Sequence, residues 1–394
     1  MIENKIEIIQ GFSWFGKNIG IKDSTLDFGG ILADRVCNAA GVFTKNTMPG
    51  APVIVGKEHL KDGKLQAVIV NSKNANVATS TQGINDSKTI CRLVAENFGI
   101  QTEMVLPSST GVIGPRLPMD IITRGCKSLK QDFGKSEQHI LDFARSIMTT
   151  DTRPKWVTGK VGNAKILGIA KGSGMIEPNM ATMLCYFMSD AEIDSGKLHH
   201  IITNAANKSF NRISVDTDTS TSDTVVALCN GLAGPVDPDE FETTLTDMAI
   251  YLAKEIARDG EGATKLIELT VSGAQTQEQA ILTAKTVVNS PLVKTAIYGS
   301  DPNWGRFVMA IGKVFQYSVK ISELKIYFGK GGDRIRLDAE VLDQNKVPLD
   351  DISKILNNSE VHIEIVLGKG PYSEKVWGCD LTEGYININA HYTT

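Results

Sequence analysis

Residues 171–185 of this chain read KGSGMIEPNMATMLC, and the apolar residues continue through Met188. Two glycines and a proline before Asn179 predict a shaped, non-helical connection. Thr182 then opens an apolar run that we expect to be buried. A threonine hydroxyl at such a position is held rigidly against the peptide bond before it, although a simple hydrogen bond at a strand start is the commoner explanation. The Lys-Gly-Ser-Gly order lacks the arrangement of a phosphate-binding loop.

The composition of the whole chain is that of an ordinary soluble protein. Its 394 residues are 42% apolar and 22% charged, with a formal net charge of −4. That length predicts two domains or two halves around a sizeable core. No run of Lys or Arg forms a basic patch, which argues against nucleic-acid binding.

The chain also lacks the signals of export, membrane insertion and metal binding. Its first ten residues, MIENKIEIIQ, carry neither a basic leader nor an apolar core. No stretch approaches the roughly 20 apolar residues of a membrane span. The six cysteines and six histidines show no metal-ligand spacing, so we expect reduced, mostly buried thiols. These features predict a cytoplasmic, metal-free protein.

Alternating strand and helix patterns predict an α+β fold, with mixed or antiparallel sheet in the second half. One helix is expected to begin at Ser195 as its N-cap. Another covers residues 241–256, where apolar residues recur at helical spacing, and Gly260 is expected to form its left-handed C-cap. The predicted strands are centred on residues 68–70, 104–106, 267–271, 324–328, 361–367 and 385–390.

Motifs along essentially the full chain closely resemble those of the ornithine acetyltransferase family, also called the glutamate N-acetyltransferases. Each motif is weak by itself, but their order and spacing along one chain are highly specific. Besides residues 171–185, the motifs are NSKNAN (71–76), STGVIG (109–114), TTDT (149–152), DGEGATK (259–265), SDPNWGR (300–306) and NINA (387–390).

The resemblance implies a layered helix/sheet/sheet/helix architecture with mixed sheets, and a chain that cuts itself. The bond cut would be Ala181–Thr182, giving fragments 1–181 and 182–394 that stay intertwined. Cleavage needs a hydroxyl or thiol on the second residue, since that group attacks the preceding carbonyl. The α-amine that cleavage frees on Thr182 then serves as the base for the Thr182 hydroxyl, which explains why no histidine is needed.

The same resemblance assigns the remaining site residues. Thr110, through its hydroxyl, and Gly111, through its backbone N–H, are expected to form the oxyanion hole, although an ordinary Thr-Gly turn has the same sequence. A lysine can hold a substrate carboxylate and a glutamate can meet an ammonium group, but a lone glutamate in a loop is usually solvated. The expected substrate contacts are Thr149, Lys171, Thr182, Glu261, Asn389 and Thr394.

The implied reaction is ping-pong transfer of an acetyl group from N-acetyl-L-ornithine to L-glutamate in the cyclic pathway of arginine biosynthesis. It needs no metal, nucleotide or other bound cofactor. Acetyl-CoA is a further donor for some family members, and the sequence does not separate these from the others. The resemblance also implies an α2β2 assembly of the two fragments. Two other functions stay open: an N-terminal threonine amidohydrolase or peptidase, and an unprocessed, non-enzymatic amino-acid-binding protein.

Overall fold

The computed structural model describes residues 2–177, 183–344 and 346–392, apart from the side chain of Asp333. The chain divides into two compact units, one made of residues 1–211 and 218–256, the other of residues 212–217 and 257–394. Ala181, Thr182 and Thr394 lie outside the described residues. The division into fragments 1–181 and 182–394 therefore stays a prediction.

Fifteen strands and thirteen α-helices fall within the described residues. The strands are β1 (Ile2–Glu3), β2 (Phe12–Lys17), β3 (Phe28–Phe43), β4 (Lys64–Asn71), β5 (Val105–Ser109), β6 (Lys155–Val161), β7 (Ala164–Lys171), β8 (Leu184–Glu192), β9 (Ile213–Ser214), β10 (Thr224–Pro235), β11 (Leu266–Ala274), β12 (Lys325–Phe328), β13 (Ile335–Asp338), β14 (Glu360–Val366) and β15 (Tyr372–Cys379). The helices are α1 (Ala51–His59), α2 (Ser80–Phe98), α3 (Met119–Gly125), α4 (Leu129–Asp132), α5 (Glu137–Ser146), α6 (Ser195–Lys208), α7 (Pro238–Arg258), α8 (Gln277–Val288), α9 (Pro291–Tyr298), α10 (Trp304–Gly312), α11 (Ala339–Asp343), α12 (Leu349–Leu356) and α13 (Glu383–Ala390).

The first unit is built on a mixed sheet of nine described strands, ordered β1-β6-β7-β8-β10-β3-β4-β5, with β2 also paired to β3. The β8–β10 and β4–β5 pairs are parallel and the others are antiparallel. Val68 and Val70 of β4 belong to a core that includes Phe143 of α5, whereas Ile69 belongs to a core that includes Ile90 of α2. Because successive side chains of a strand point to opposite faces, helices cover both faces of this sheet.

The apolar run after residue 182 forms β8, which lies between β7 and β10 in the sheet. The side chains of residues 183–188 are each 2% exposed or less, so the predicted burial is confirmed. Burial on both faces of the strand explains why the run is continuously apolar instead of alternating. Lys171, the last residue of β7, pairs with Leu184, the first residue of β8.

The second unit holds a mixed sheet of six described strands, ordered β13-β12-β14-β11-β15-β9. β11 runs parallel to β14 and antiparallel to β15. Ile267 and Leu269 of β11 face a core shared with α8, α9, α10 and α12, while Glu268 between them faces the other side. The α+β class and the mixed sheets are therefore confirmed.

The C-terminal prediction is wrong, because residues 385–390 lie in helix α13 and not in a strand. Thr382 caps this helix, its hydroxyl accepting the Gly384 N–H at 3.0 Å. The alternation of isoleucine and asparagine has the period of a strand, but Ile386 is 64% exposed. None of these side chains is buried, so packing does not stabilise a strand here. The N-cap and the hydrogen bonds within the helix therefore determine the conformation.

Two helix-end predictions are also wrong. Asp194, not Ser195, is the N-cap of α6, since its carboxylate accepts the N–H groups of Gly196 and Lys197. After α7 the left-handed glycine is Gly262, with φ of 69°, and not Gly260. A Cβ on Gly260 would lie 2.7 Å from the Cys379 sulfur, so close packing explains that glycine.

All six cysteines are buried and free, as predicted. Burial raises the pKa of the Cys185 thiol well above its usual range, which makes this residue unreactive at neutral pH. Among the helices that the structure describes, none has the length and apolar character needed to cross a bilayer.

Candidate active site

Two loops that follow neighbouring parallel strands are tied together at one end of the first unit's sheet. Asn71 and Ser109 end β4 and β5 and lie opposite each other. The Ser109 hydroxyl donates to Asn71 Oδ1 at 2.6 Å, and the Thr110 N–H donates to the Asn71 carbonyl at 3.1 Å. The Val112 N–H donates to the Lys73 carbonyl at 2.9 Å. The NSKNAN and STGVIG motifs therefore form one cross-linked turn.

Gly111 lies at the centre of this turn and has to be glycine. Its φ is +131°, and a Cβ there would lie 2.2 Å from the Lys73 carbonyl carbon. The N–H groups of Thr110 and Val112 on either side are both bonded. The Gly111 N–H has no acceptor among the described residues. This partly buried turn thus presents one backbone N–H without an acceptor among the described residues, and such a donor can bind a negatively charged oxygen.

Lys171 joins two more of the predicted residues to this turn. It ends β7 and is only 8% exposed. Its Nζ donates to Thr110 Oγ1 at 3.0 Å and to Thr149 Oγ1 at 3.2 Å. The structure therefore brings together Thr110, Gly111, Thr149 and Lys171, which are far apart in sequence.

Asp151 fixes the loops around Lys171, and sequence reasoning missed its role although it lies in the TTDT motif. Its Oδ1 accepts the Gly172 N–H at 2.6 Å and the Lys155 ammonium at 2.8 Å, and its Oδ2 accepts the Thr149 N–H at 3.1 Å. Burial by itself would raise the pKa of Asp151. The charges of Lys155 and Lys171, together with the hydrogen bonds from Lys155 and the Gly172 N–H, outweigh burial and lower that pKa to about 2.

Acid is expected to weaken the fold through Asp151. Its folded pKa of about 2 lies below the ordinary value of 3.8, so the ionised carboxylate stabilises the fold above that ordinary value. About 2 kcal/mol of this stabilisation is lost as the pH falls toward the folded pKa. Urea unfolding of Asp151→Asn against its parent, both in an uncut Thr182→Ala background, should show a stability difference that shrinks as the pH falls.

An exposed ion pair provides the matched control. Asp34 accepts Lys135 Nζ at 2.7 Å, but both side chains are about half exposed. Asp34→Asn should cost less than about 1 kcal/mol at every pH, since exposed pairs contribute little. A stability difference for Asp151→Asn that stays constant between about pH 5 and pH 2 would contradict the assignment.

A further lysine adds positive charge to this part of the first unit, and no sequence signal identified it. Lys22 Nζ donates to the carbonyls of Met148, at 2.7 Å, and Leu26, at 3.2 Å. Burial lowers the pKa of Lys22 to about 8, and the charges of Lys171 and Lys73 act in the same direction. The charges of Asp27 and Asp151 act in the opposite direction, so lysines and carboxylates are interleaved in this region.

In the second unit the structure brings two other predicted residues together. Glu261 follows α7, is 7% exposed, and accepts the Asn389 side-chain amide at 2.7 Å. The backbone at Gly262 packs closely against α13, since a Cβ on Gly262 would lie 2.4 Å from the Tyr385 nitrogen. The C-terminal helix therefore returns to the DGEGATK loop. Thr182 and Thr394, the remaining predicted contacts, lie outside the described residues.

One group of side chains in the second unit has ligand-like spacing. Oxygen and nitrogen atoms of Glu268, Glu360 and His362 lie within 4.8 Å of one another. Lys375 already lies 2.7 Å from Glu268, and Arg258 lies 2.9 Å from Glu360. Since these cations balance both carboxylates, we assign the group as an ion-pair cluster and not as a metal centre.

Comparison with known proteins identifies the family of the chain. The sequence profile of the ArgJ family matches residues 13–394. A Clostridium acetobutylicum protein named "Arginine biosynthesis bifunctional protein ArgJ 2" is 49% identical over 387 residues, covering 98% of each chain. A protein of the same name from Nostoc sp. is 46% identical over 393 residues, again covering 98% of each. The Streptomyces clavuligerus protein "Glutamate N-acetyltransferase Oat2" is 42% identical over 397 residues, with the same coverage.

The names of these relatives define a class, the glutamate N-acetyltransferases of arginine biosynthesis. The chain itself belongs to the ArgJ family. The resemblance inferred from the motifs, and the enzyme class that it implied, are therefore confirmed.

Proposed function

We propose that this chain transfers the acetyl group of N-acetyl-L-ornithine to L-glutamate, with Thr182 carrying the group between the two substrates. The family, and a relative named for glutamate N-acetylation, support this reaction. Ping-pong transfer requires a nucleophile, a base and an oxyanion hole. We propose residues of this chain for all three roles.

The pair formed by Thr110 and Gly111 carries the proposal. When a nucleophile attacks the acetyl carbonyl, its oxygen becomes negatively charged and needs fixed donors. The Gly111 N–H, which has no acceptor in the described chain, supplies one. Lys171 occupies an acceptor position of the Thr110 hydroxyl, which leaves the hydroxyl proton as the second donor.

Thr182 and its own α-amine supply the nucleophile and the base. Cleavage of the Ala181–Thr182 bond would free that amine, whose pKa near 7.7–8.0 leaves roughly a tenth of it neutral at pH 7. Such a base explains why no histidine is needed in the site. The fragments proposed are 1–181 and 182–394.

The ammonium group of Lys171 suits the carboxylate of an amino-acid substrate. The charge of Lys171 lowers the pKa of Lys22, and a carboxylate bound near both would oppose that effect. Thr149, whose hydroxyl contacts Lys171, is proposed to contact the same substrate carboxylate. Glu261 and Asn389 are proposed as further substrate contacts, Glu261 for an ammonium group, and Thr394 is proposed with them.

Intact mass spectrometry with N-terminal sequencing tests the processing step. We expect two polypeptides from the purified protein, the second beginning with Thr182. Recovery of only the 42.7 kDa chain under native conditions would refute it. The same preparation distinguishes transfer from hydrolysis: glutamate should accelerate the release of ornithine from N-acetylornithine. Free acetate formed at the same rate with and without glutamate would instead indicate an amidohydrolase.

Three finer proposals rest on the family resemblance. The two ArgJ 2 relatives are named bifunctional, and we propose acetyl-CoA as a second acetyl donor for glutamate. Release of free CoA thiol in the presence of glutamate tests that donor. We also propose an α2β2 assembly, about twice the mass of one 42.7 kDa chain, and a cytoplasmic location. Light scattering on the purified protein tests the assembly.

A further inference from the structure

The proposed acceptor brings a charge that the proposed substrate contacts do not match. L-glutamate has two carboxylates, whereas N-acetyl-L-ornithine has one. Lys171 is the only side chain with a positive charge among those contacts. A carboxylate that leaves water is strongly disfavoured unless a cation or hydrogen-bond donors receive it. The side-chain carboxylate of glutamate therefore needs a partner of its own.

Lys22 lies next to the segment that Lys171 contacts. Its Nζ donates to the Met148 carbonyl at 2.7 Å and to the Leu26 carbonyl at 3.2 Å. Met148 directly precedes Thr149, whose hydroxyl accepts Lys171 Nζ at 3.2 Å. Because consecutive Cα atoms are about 3.8 Å apart, the two ammonium groups contact neighbouring positions of one short segment. An amino acid with two carboxylates can therefore contact both.

The ammonium group of Lys22 has a donor left for a ligand. Such a group carries three protons, and the two carbonyls accept two of them. Within the part of the chain that the structure describes, no carboxylate or other acceptor receives the third. The buried carboxylate of Asp27 does not pair with this ammonium. Its oxygens instead accept three backbone N–H groups at 2.7–2.9 Å, those of Ile19, Ile21 and Lys22.

Two other lysines whose charges act in this region are less suited to hold a second carboxylate. The Lys155 ammonium is buried and already pairs with Asp151 at 2.8 Å. Lys73 is half exposed and lies 3.9 Å from Asp23. Lys22 is partly buried, which lowers its pKa to about 8, and a bound carboxylate would stabilise its charged form.

We propose that Lys22 binds the side-chain carboxylate of the acceptor glutamate, while Lys171 binds the carboxylate that both substrates have. The inference rests on the proposed function and adds to it a residue that determines which acceptor is used. Lys22 acts only in the second half of the reaction, after ornithine has left and glutamate has entered. The side chain of N-acetylornithine ends in an ammonium group and gains nothing from a second cation.

Steady-state kinetics of the cut enzyme test the proposal, because in a ping-pong reaction kcat/KM for each substrate reports only its own half-reaction. Lys22→Met keeps an unbranched side chain and removes the charge. Its kcat/KM for glutamate should be about 10–100-fold lower, the usual effect of losing a hydrogen bond to a charged group. Its kcat/KM for N-acetylornithine should not fall. A parallel fall for both substrates would overturn the proposal, and so would an unchanged value for glutamate.

Glutamine isolates the contact, because it has the shape of glutamate without the charge on the side chain. The wild-type enzyme should prefer glutamate, whether glutamine is measured as an acceptor or as a competitive inhibitor. Equal affinity of the wild-type enzyme for both would overturn the proposal without any variant. Lys22→Met should lose most of this preference. Equal losses with glutamate and glutamine would mean that Lys22 acts on the shared carboxylate or on the fold, which contradicts the proposal.

Two further variants serve as controls, each verified by mass to be cut. Lys22→Arg keeps the positive charge and should retain most of the preference for glutamate. Lys88→Met removes the same charge from α2, where the lysine pairs with Glu58 at 2.9 Å and both side chains are about half exposed. It should match the wild-type enzyme with both substrates, since exposed pairs contribute little. Absence of acetyl transfer by the wild-type chain would instead refute the proposed function.

Discussion

Replacing Thr182 by alanine is expected to leave the 42.7 kDa chain whole and to abolish acetyl transfer. Without the hydroxyl nothing attacks the Ala181 carbonyl, so neither the free α-amine nor the nucleophile is produced. The two losses are one event, because the same side chain would make the base and then carry the acetyl group. Mass spectrometry of the purified variant and an assay of ornithine release from N-acetylornithine measure both.

The Thr182→Ser variant distinguishes loss of the reaction from loss of the folded structure. Thr182→Ser keeps a hydroxyl and is expected to cleave and to transfer acetyl, both more slowly than the parent. Thr182→Ala should unfold at a temperature similar to Thr182→Ser, because neither change adds bulk. Two fragments from Thr182→Ala, or acetyl transfer by its uncut chain, would rule out Thr182 as the nucleophile.

Replacing Thr110 by valine should lower kcat by about 10²–10³-fold, the usual cost of losing one oxyanion donor. Valine has the shape of threonine but no hydroxyl, so the turn around Gly111 should persist. The Lys171 ammonium also loses a partner at 3.0 Å. The variant has to be assayed as its cut form, with cleavage verified by mass, because an uncut chain would lack the base.

Thr149→Val is the matched comparison for Thr110→Val. Thr149 contacts the same ammonium, at 3.2 Å, but is assigned to substrate binding. The Thr149→Val variant should therefore raise KM while changing kcat only a few-fold. A contact that binds the substrate and the transition state equally does not affect the rate of the chemical step. Equal losses of kcat in both variants would mean that positioning Lys171, and not donation to the oxyanion, explains the effect of Thr110.

The elements with a strong hydrophobic pattern were predictable from sequence. Phe241 and Ile256 lie on the buried face of α7, and Ile267 and Leu269 lie on the buried face of β11. Burial against a core requires apolar residues at the helical or strand spacing, so the sequence pattern and the structure agree. Residues 385–390 have a strand period but no core beside them, and there the prediction is wrong.

The candidate site was predictable only in part, because its residues meet through long-range contacts. The motif resemblance identified Thr110 and Lys171, but no local pattern shows that Lys171 donates to Thr110. Asp151 and Lys22 act through burial and through charges supplied by distant segments, and a single sequence does not contain that information.

The strand order of the first unit has a consequence for the proposed cut between Ala181 and Thr182. β8 and β10, which follow residue 182, lie between β7 and β3, which precede it. Cutting the chain would remove one covalent link but none of the inter-strand hydrogen bonds on either side of those two strands. The products would be two polypeptides sharing one folded domain, inseparable without denaturation. Maturation would then change the chemistry of a chain end while the architecture around it persists.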